Sequence, residues 1–113
     1  MANKLWDTYA GTWTLAGPER IEVLATCVDA DVTYCDPSSK VSGIDNLSAH
    51  MAGFQENFPG ARFRIRNVYE HNSRTIAKCD LVQADDAVAM RGISFAQLGE
   101  DGKMQEISGF FES

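Results

Sequence analysis

The chain has 113 residues and a formal charge of −6, with 44% hydrophobic and 23% charged residues. That length predicts one domain, residues 1–113, around one core. The acidic balance argues against a nucleic-acid partner, which needs a basic footprint, and against an anionic membrane surface. No apolar run is long enough for a signal peptide or a membrane span, so the expectation is a cytoplasmic protein with no membrane partner.

Leu5, Trp6, Tyr9, Ala10 and Trp13 fall on one helical face and predict a helix over 3–14. Gly17-Pro18 punctuates the chain, and Pro18 suits the first turn of a second helix with Ile21, Leu24, Ala25 and Val28 as its apolar stripe. Asp29-Ala30-Asp31 is expected to end that helix. A strand, Val32-Thr33-Tyr34, then delivers Asp36 just before Pro37. Ser42 is the expected N-cap of a third helix, with Asp45 three residues on and a stripe of Ile44, Leu47, Met51 and Phe54. Pro59-Gly60 stops it. Beyond Gly60 the period changes to two, with Phe63 and Ile65 alternating against Arg62, Arg64 and Arg66. Further strands are predicted over 73–82, 87–98 and 103–112, with turns at His71-Asn72, Asp85-Asp86 and Gly99–Gly102.

Helices first and antiparallel strands after them mean α+β. Long strands twist and curl. The expected architecture is a cone-shaped, curved mixed sheet wrapped around three N-terminal helices, with a pocket lined by alternate strand residues.

Tyr34 and Asp36 share a strand face because side chains alternate with period two. Burial of Asp36 among apolar residues would raise its pKa and suit it to general-base work. The alternative is a turn cap, its carboxylate held by backbone N–H groups. The predicted cavity wall is Tyr34, Met51, Phe54, Met90, Ser94, Ile107 and Phe111, largely buried, with several touching one void. Ser94 shares a face with Met90 and Gly92 and offers a hydroxyl to a ligand or to a neighbouring strand. His50 flanks the third helix's stripe, either as a helix-edge histidine or tipped toward the cavity. Two histidines cannot make a multi-His metal site, and Cys27, Cys35 and Cys79 lack C-x-x-C spacing. They read as reduced structural thiols. Neither metal nor cofactor is expected. Arg62, Arg64 and Arg66 read as a lattice paired across strands with Asp80, Glu106 or Glu112.

The run DADVTYCDPSSKVSGIDNLSAHMAGFQENFPGARFRI, followed by RGISFAQLGEDGKMQEISGFF, resembles the SnoaL-like family of the nuclear-transport-factor-2-like superfamily, relatives of ketosteroid isomerase and polyketide cyclases. The resemblance spans about Tyr9 to Phe111. It rests on strand-D-P, G-x-D-x-L, F-P-G, D-G-K and G-F-F in that order. It implies the cone fold, a homodimer, and Asp36 at the general-base position of ketosteroid isomerase. Ser94 falls where that enzyme has its protonated Asp, and the position of its oxyanion Tyr falls near Gly11 or Thr12 rather than on Tyr9. Cys79 stands where relatives often carry tryptophan. The base is thus present without the acid pair. Two functions follow. One is a pocket protein for a small apolar molecule, an isomerase or cyclase moving a proton next to a carbonyl of a cyclic or polyketide-like substrate. The other is a non-catalytic ligand-binding or protein-interaction module, since this fold hosts both.

Overall fold

A computed structural model describes residues 2–112. Helix α1 (Ala2–Gly11) runs into a 3-10 turn (Thr12–Thr14), then α2 (Gly17–Cys27), strands β1 (Val28–Asp36) and β2 (Ser39–Ser42), and helix α3 (Ile44–Asn57). Four long strands follow: β3 (Arg62–His71), β4 (Arg74–Val82), β5 (Val88–Leu98) and β6 (Met104–Phe111). The sheet order is β2-β1-β6-β5-β4-β3. Only β1 and β6 run parallel; the other neighbours are antiparallel. The expected α+β cone is therefore present: an open mixed sheet packed on three helices.

Local chemistry explains where the elements depart from expectation. The first helix breaks at Gly11 instead of reaching Thr14. The Thr12 hydroxyl donates back to the Tyr9 carbonyl at 2.6 Å and the Thr14 hydroxyl to that of Gly11 at 2.9 Å, bonds that compete with helix continuation. Helix α2 buries Arg20, Leu24 and Cys27, so its inner stripe is rotated away from Ile21 and Ala25. Asp29, Ala30 and Asp31 do not end α2, whose last residue is Cys27. They lie inside β1, where a bulge against β6 falls between Val28 and Thr33. Ser42 is not the cap of α3: it ends β2, a strand the sequence pattern did not show, and pairs with Thr33. Gly43 is the N-cap at φ 86°, a backbone conformation that favours glycine, and its N–H donates to the Val32 carbonyl at 2.7 Å.

Bulges fall at Arg66 in β3, at Ala89 in β5 opposite Leu81 and Val82, and at Gln105 in β6 opposite Gln97 and Leu98. Each adds local twist, which is how a long sheet curls. The concave side and the helices bury Trp6, Leu24, Val28, Val32, Leu47, Met51, Met104 and Ile107. Ile65, Ala77, Cys79, Gly92 and Ser94 line that concave side. Their neighbours Arg64, Asp80 and Arg91 stand opposite one another across β3, β4 and β5, on the outer side. There the arginine lattice holds, on two of the three expected acidic partners and on Asp86 besides. Arg64 and Arg66 each reach buried Asp80 at 2.8 Å, Arg66 approaches Glu112 at 4.0 Å, and Arg62 pairs with Asp86 at 2.9 Å. Glu106 takes no part among the described residues.

Candidate active site

Two connected cavities open between helices and sheet. The inner chamber has a free volume of about 40 Å³ and the outer one about 460 Å³. Trp13, Tyr34, Asp36, Phe63 and Phe111 line both, so Asp36 stands at their junction. The outer volume falls in the range of small-molecule pockets, whereas the inner chamber alone holds only a small tip of a ligand.

Strand β1 presents Tyr34 and Asp36 to this junction, and α3 brings His50 against them. The Tyr34 hydroxyl donates to Asp36 Oδ2 at 2.7 Å, and His50 Nε2 lies 3.3 Å from the same oxygen. Asp36 Oδ1 accepts the Ser38 N–H and the Ser38 hydroxyl, each at 2.9 Å. The Asp36 side chain is only 11% exposed. Burial pushes its pKa up, but the bonds from Tyr34, the Ser38 N–H and the Ser38 hydroxyl, with His50 beside it, prevail and hold it below the ordinary carboxylate value. The expected rise is thus overturned: desolvation is one contribution, and four donor groups oppose it. The Asp36 that results is an ionised acceptor. A carboxylate can only accept, so the ring nitrogen facing it carries hydrogen; in a neutral imidazole Nδ1 then keeps the lone pair. Among the described residues Nδ1 has no hydrogen-bond partner. Burial, then Tyr9 and Asp36, pushes the Tyr34 phenol far up, so it remains a neutral donor.

Aromatic rings frame the cluster. Trp13 lies edge-on to Phe54 at 5.2 Å, to Phe63 at 5.1 Å and to His50 at 5.9 Å, and Tyr34 lies 5.2 Å from His50. No Lys or Arg lines either cavity among the described residues.

Of the predicted wall, Tyr34 and Phe111 line both cavities, Ser94 the inner one, and Phe54 and Met90 the outer one. Ser94 and Asp36 share the concave side: a Cβ on Gly109 would sit 3.7 Å from Asp36 Cβ and 3.9 Å from Ser94 Oγ. Met51 and Ile107 line neither cavity. Both are fully buried in the core, and the Met51 sulfur lies 3.6 Å from the Thr12 hydroxyl oxygen. Met90 and Phe111 are 41% and 45% exposed, so they form the rim and not a buried wall. Tyr9, assigned from the sequence only to a helical core face, also lines the inner chamber.

A family model for the SnoaL-like domain matches residues 9–107. The chain belongs to the SnoaL-like family. Among solved structures this SnoaL-like domain is similar to a proposed isomerase of the same family from Agrobacterium tumefaciens strain C58, at 20% identity and a TM-score of 0.91, covering 97% of this chain and 96% of that one. It is also similar to a hypothetical protein of ketosteroid isomerase-like fold from Catenulispora acidiphila, solved with trimethylamine: 14% identity, TM-score 0.78, 96% and 85% covered. A proposed SnoaL-like polyketide cyclase from Jannaschia sp. CCS1 matches at 16% identity and a TM-score of 0.69, with 82% and 72% covered. At these identities the likeness is one of fold. No curated protein matches the sequence. No helix among the described residues is long and apolar enough to cross a membrane.

Proposed function

We propose that this SnoaL-like domain is a small-molecule enzyme of the isomerase or cyclase type, moving a proton at carbon next to a carbonyl of an apolar cyclic or polyketide-like molecule. The observation that carries this reading is the Tyr34–Asp36–His50 cluster at the junction of two largely aromatic cavities. Asp36, held by several donors, is a poor direct base. Its role is to orient His50, whose free Nδ1 accepts the proton. The C–H electron pair then forms a carbon–carbon double bond and the carbonyl π pair moves to oxygen, giving an enolate. Returning the proton to a different carbon isomerises the molecule; attack of the enolate carbon on a second carbonyl closes a ring. No cofactor is needed for either outcome. The family membership and the neighbours proposed as isomerase and cyclase support this class.

One observation favours the non-catalytic reading: Asp36 Oδ1 is committed to Ser38 in a turn, as a scaffold carboxylate would be. Incubation in D₂O with a panel of cyclic ketones and 1,3-dicarbonyl compounds separates the two. Proton transfer raises the mass of at least one of them by one unit per exchanged hydrogen, at a rate proportional to protein. No gain across the panel leaves the binding module.

A further inference from the structure

The outer cavity combines one fixed negative charge with aromatic walls. Trp13, Tyr34, Phe54, Phe58, Phe63 and Phe111 all contribute rings to its lining. They are set as adjoining walls and not as one stack. Trp13 stands at 82° to Phe54 and 68° to Phe63, while Phe54 and Phe63 lie within 25° of one another. Among the described residues Asp36 is the one carboxylate in the lining, and no Lys or Arg accompanies it. The bonding of that carboxylate narrows what can approach it. Two carboxylate oxygens offer about four lone-pair sites. Tyr34 and His50 face those of Oδ2, and the Ser38 N–H and hydroxyl take those of Oδ1. Asp36 therefore keeps its charge and has no acceptor site free for a further N–H. A primary ammonium brings three N–H donors, which must be satisfied once water is left behind. A fully alkylated ammonium brings none. It is held by the field of a nearby carboxylate and by the negative faces of aromatic rings. At about 460 Å³ the cavity has room for such a head group on a cyclic body.

We propose that the outer cavity recognises a quaternary ammonium group carried by an otherwise apolar ligand, with Asp36 as the counter-charge and the Trp13 and Phe54 rings as walls. The proposal rests on reading the cavity as a small-molecule site, and it names a substrate class for the proton-transfer reading: a ketone that bears this cation. The same charge serves the chemistry. An enolate formed beside His50 meets no Lys or Arg in either cavity among the described residues, so the ligand's own nitrogen supplies the opposite charge.

Calorimetric titration with two pairs of probes tests this. Phenacyltrimethylammonium and neopentyl phenyl ketone share one shape and differ in charge. Cyclohexyltrimethylammonium and cyclohexylammonium share the charge and differ in N–H groups. In wild type the first member of each pair should bind about tenfold tighter than the second. Asp36→Asn and Phe54→Leu should each narrow the first gap by weakening the ammonium more than the neutral ketone. The wild-type pairs decide the question even if a variant fails to fold. Neutral ketone bound as tightly as its charged twin, primary ammonium bound as tightly as the quaternary one, neither quaternary probe bound by wild type, or a gap that survives both substitutions would each overturn the site. Ammonium-selective binding without protein-dependent deuterium uptake into phenacyltrimethylammonium would sink only the proton-transfer reading.

Discussion

Asp36 shows what a residue's sequence context reveals and what it hides. Its face-sharing with Tyr34 was legible from strand alternation, and its turn-capping role from an Asp placed just before a turn, though not the Ser38 partner. His50 was visible only as a helix-edge residue, because which edge of α3 meets β1 depends on packing across 14 residues of chain. The pKa direction was misjudged for the same reason: burial could be inferred from the strand, but the donors could not. The corrected sign has a consequence. With its folded pKa depressed, Asp36 adds stability that is fully present above the unfolded value of about 3.9 and is lost as pH falls through the lower folded value. Asp36→Asn should therefore lose about 1–2 kcal/mol at pH 7, by the usual worth of bonds to a charged group. The gap in urea midpoint between the two proteins should close as the pH is taken below the carboxylate range. A neutral or stabilising Asn variant at pH 7 would restore the raised-pKa reading.

At the scale of elements, Arg20 is the feature sequence reasoning missed. It is absent from the predicted stripe of α2, yet it is 4% exposed. Its guanidinium donates to the carbonyls of Thr12 at 3.0 Å, Leu15 at 2.6 Å and Ser48 at 2.8 Å, and to the Ser48 hydroxyl at 3.2 Å. Carbonyls at the end of a helical segment lack intrahelical donors, and the break at Gly11 creates such acceptors. Arg20 serves the Thr12 oxygen, which also takes the Leu15 N–H, and the Leu15 oxygen, and through Ser48 inside α3 it ties the Trp13 turn to that helix two residues before His50. No periodicity announces this, because the need arises only once the helix breaks. Arg20→Met should cost about 2–4 kcal/mol, the worth of several buried bonds from a charged donor. Arg20→Lys should recover only part of that, since one ammonium cannot reproduce the planar fork of donors. A urea midpoint for Arg20→Met indistinguishable from wild type would contradict the clamp.

For the molecule as a whole, the order of helices and long strands was legible because the period switches from 3.6 to two after Gly60. Strand β2 was not, because its four residues, Ser39–Ser42, gain strand character only by pairing with β1. The outer sheet face bears Ile93 beside Phe110 and Ile76 beside Phe95, next to the lattice around Asp80. We propose that two copies pair through this face, and light scattering at micromolar concentration should then report twice the chain mass; a monomer throughout would exclude it. The curled sheet's main consequence is on its other side, where it carries Asp36 to His50. The ratio of deuterium-exchange rates for one accepted ketone between wild type and His50→Gln tests that contact most directly. A positioned proton acceptor predicts a variant slower by about 10²–10⁴-fold with its fold intact. An unchanged rate would contradict His50 as the group that takes the proton.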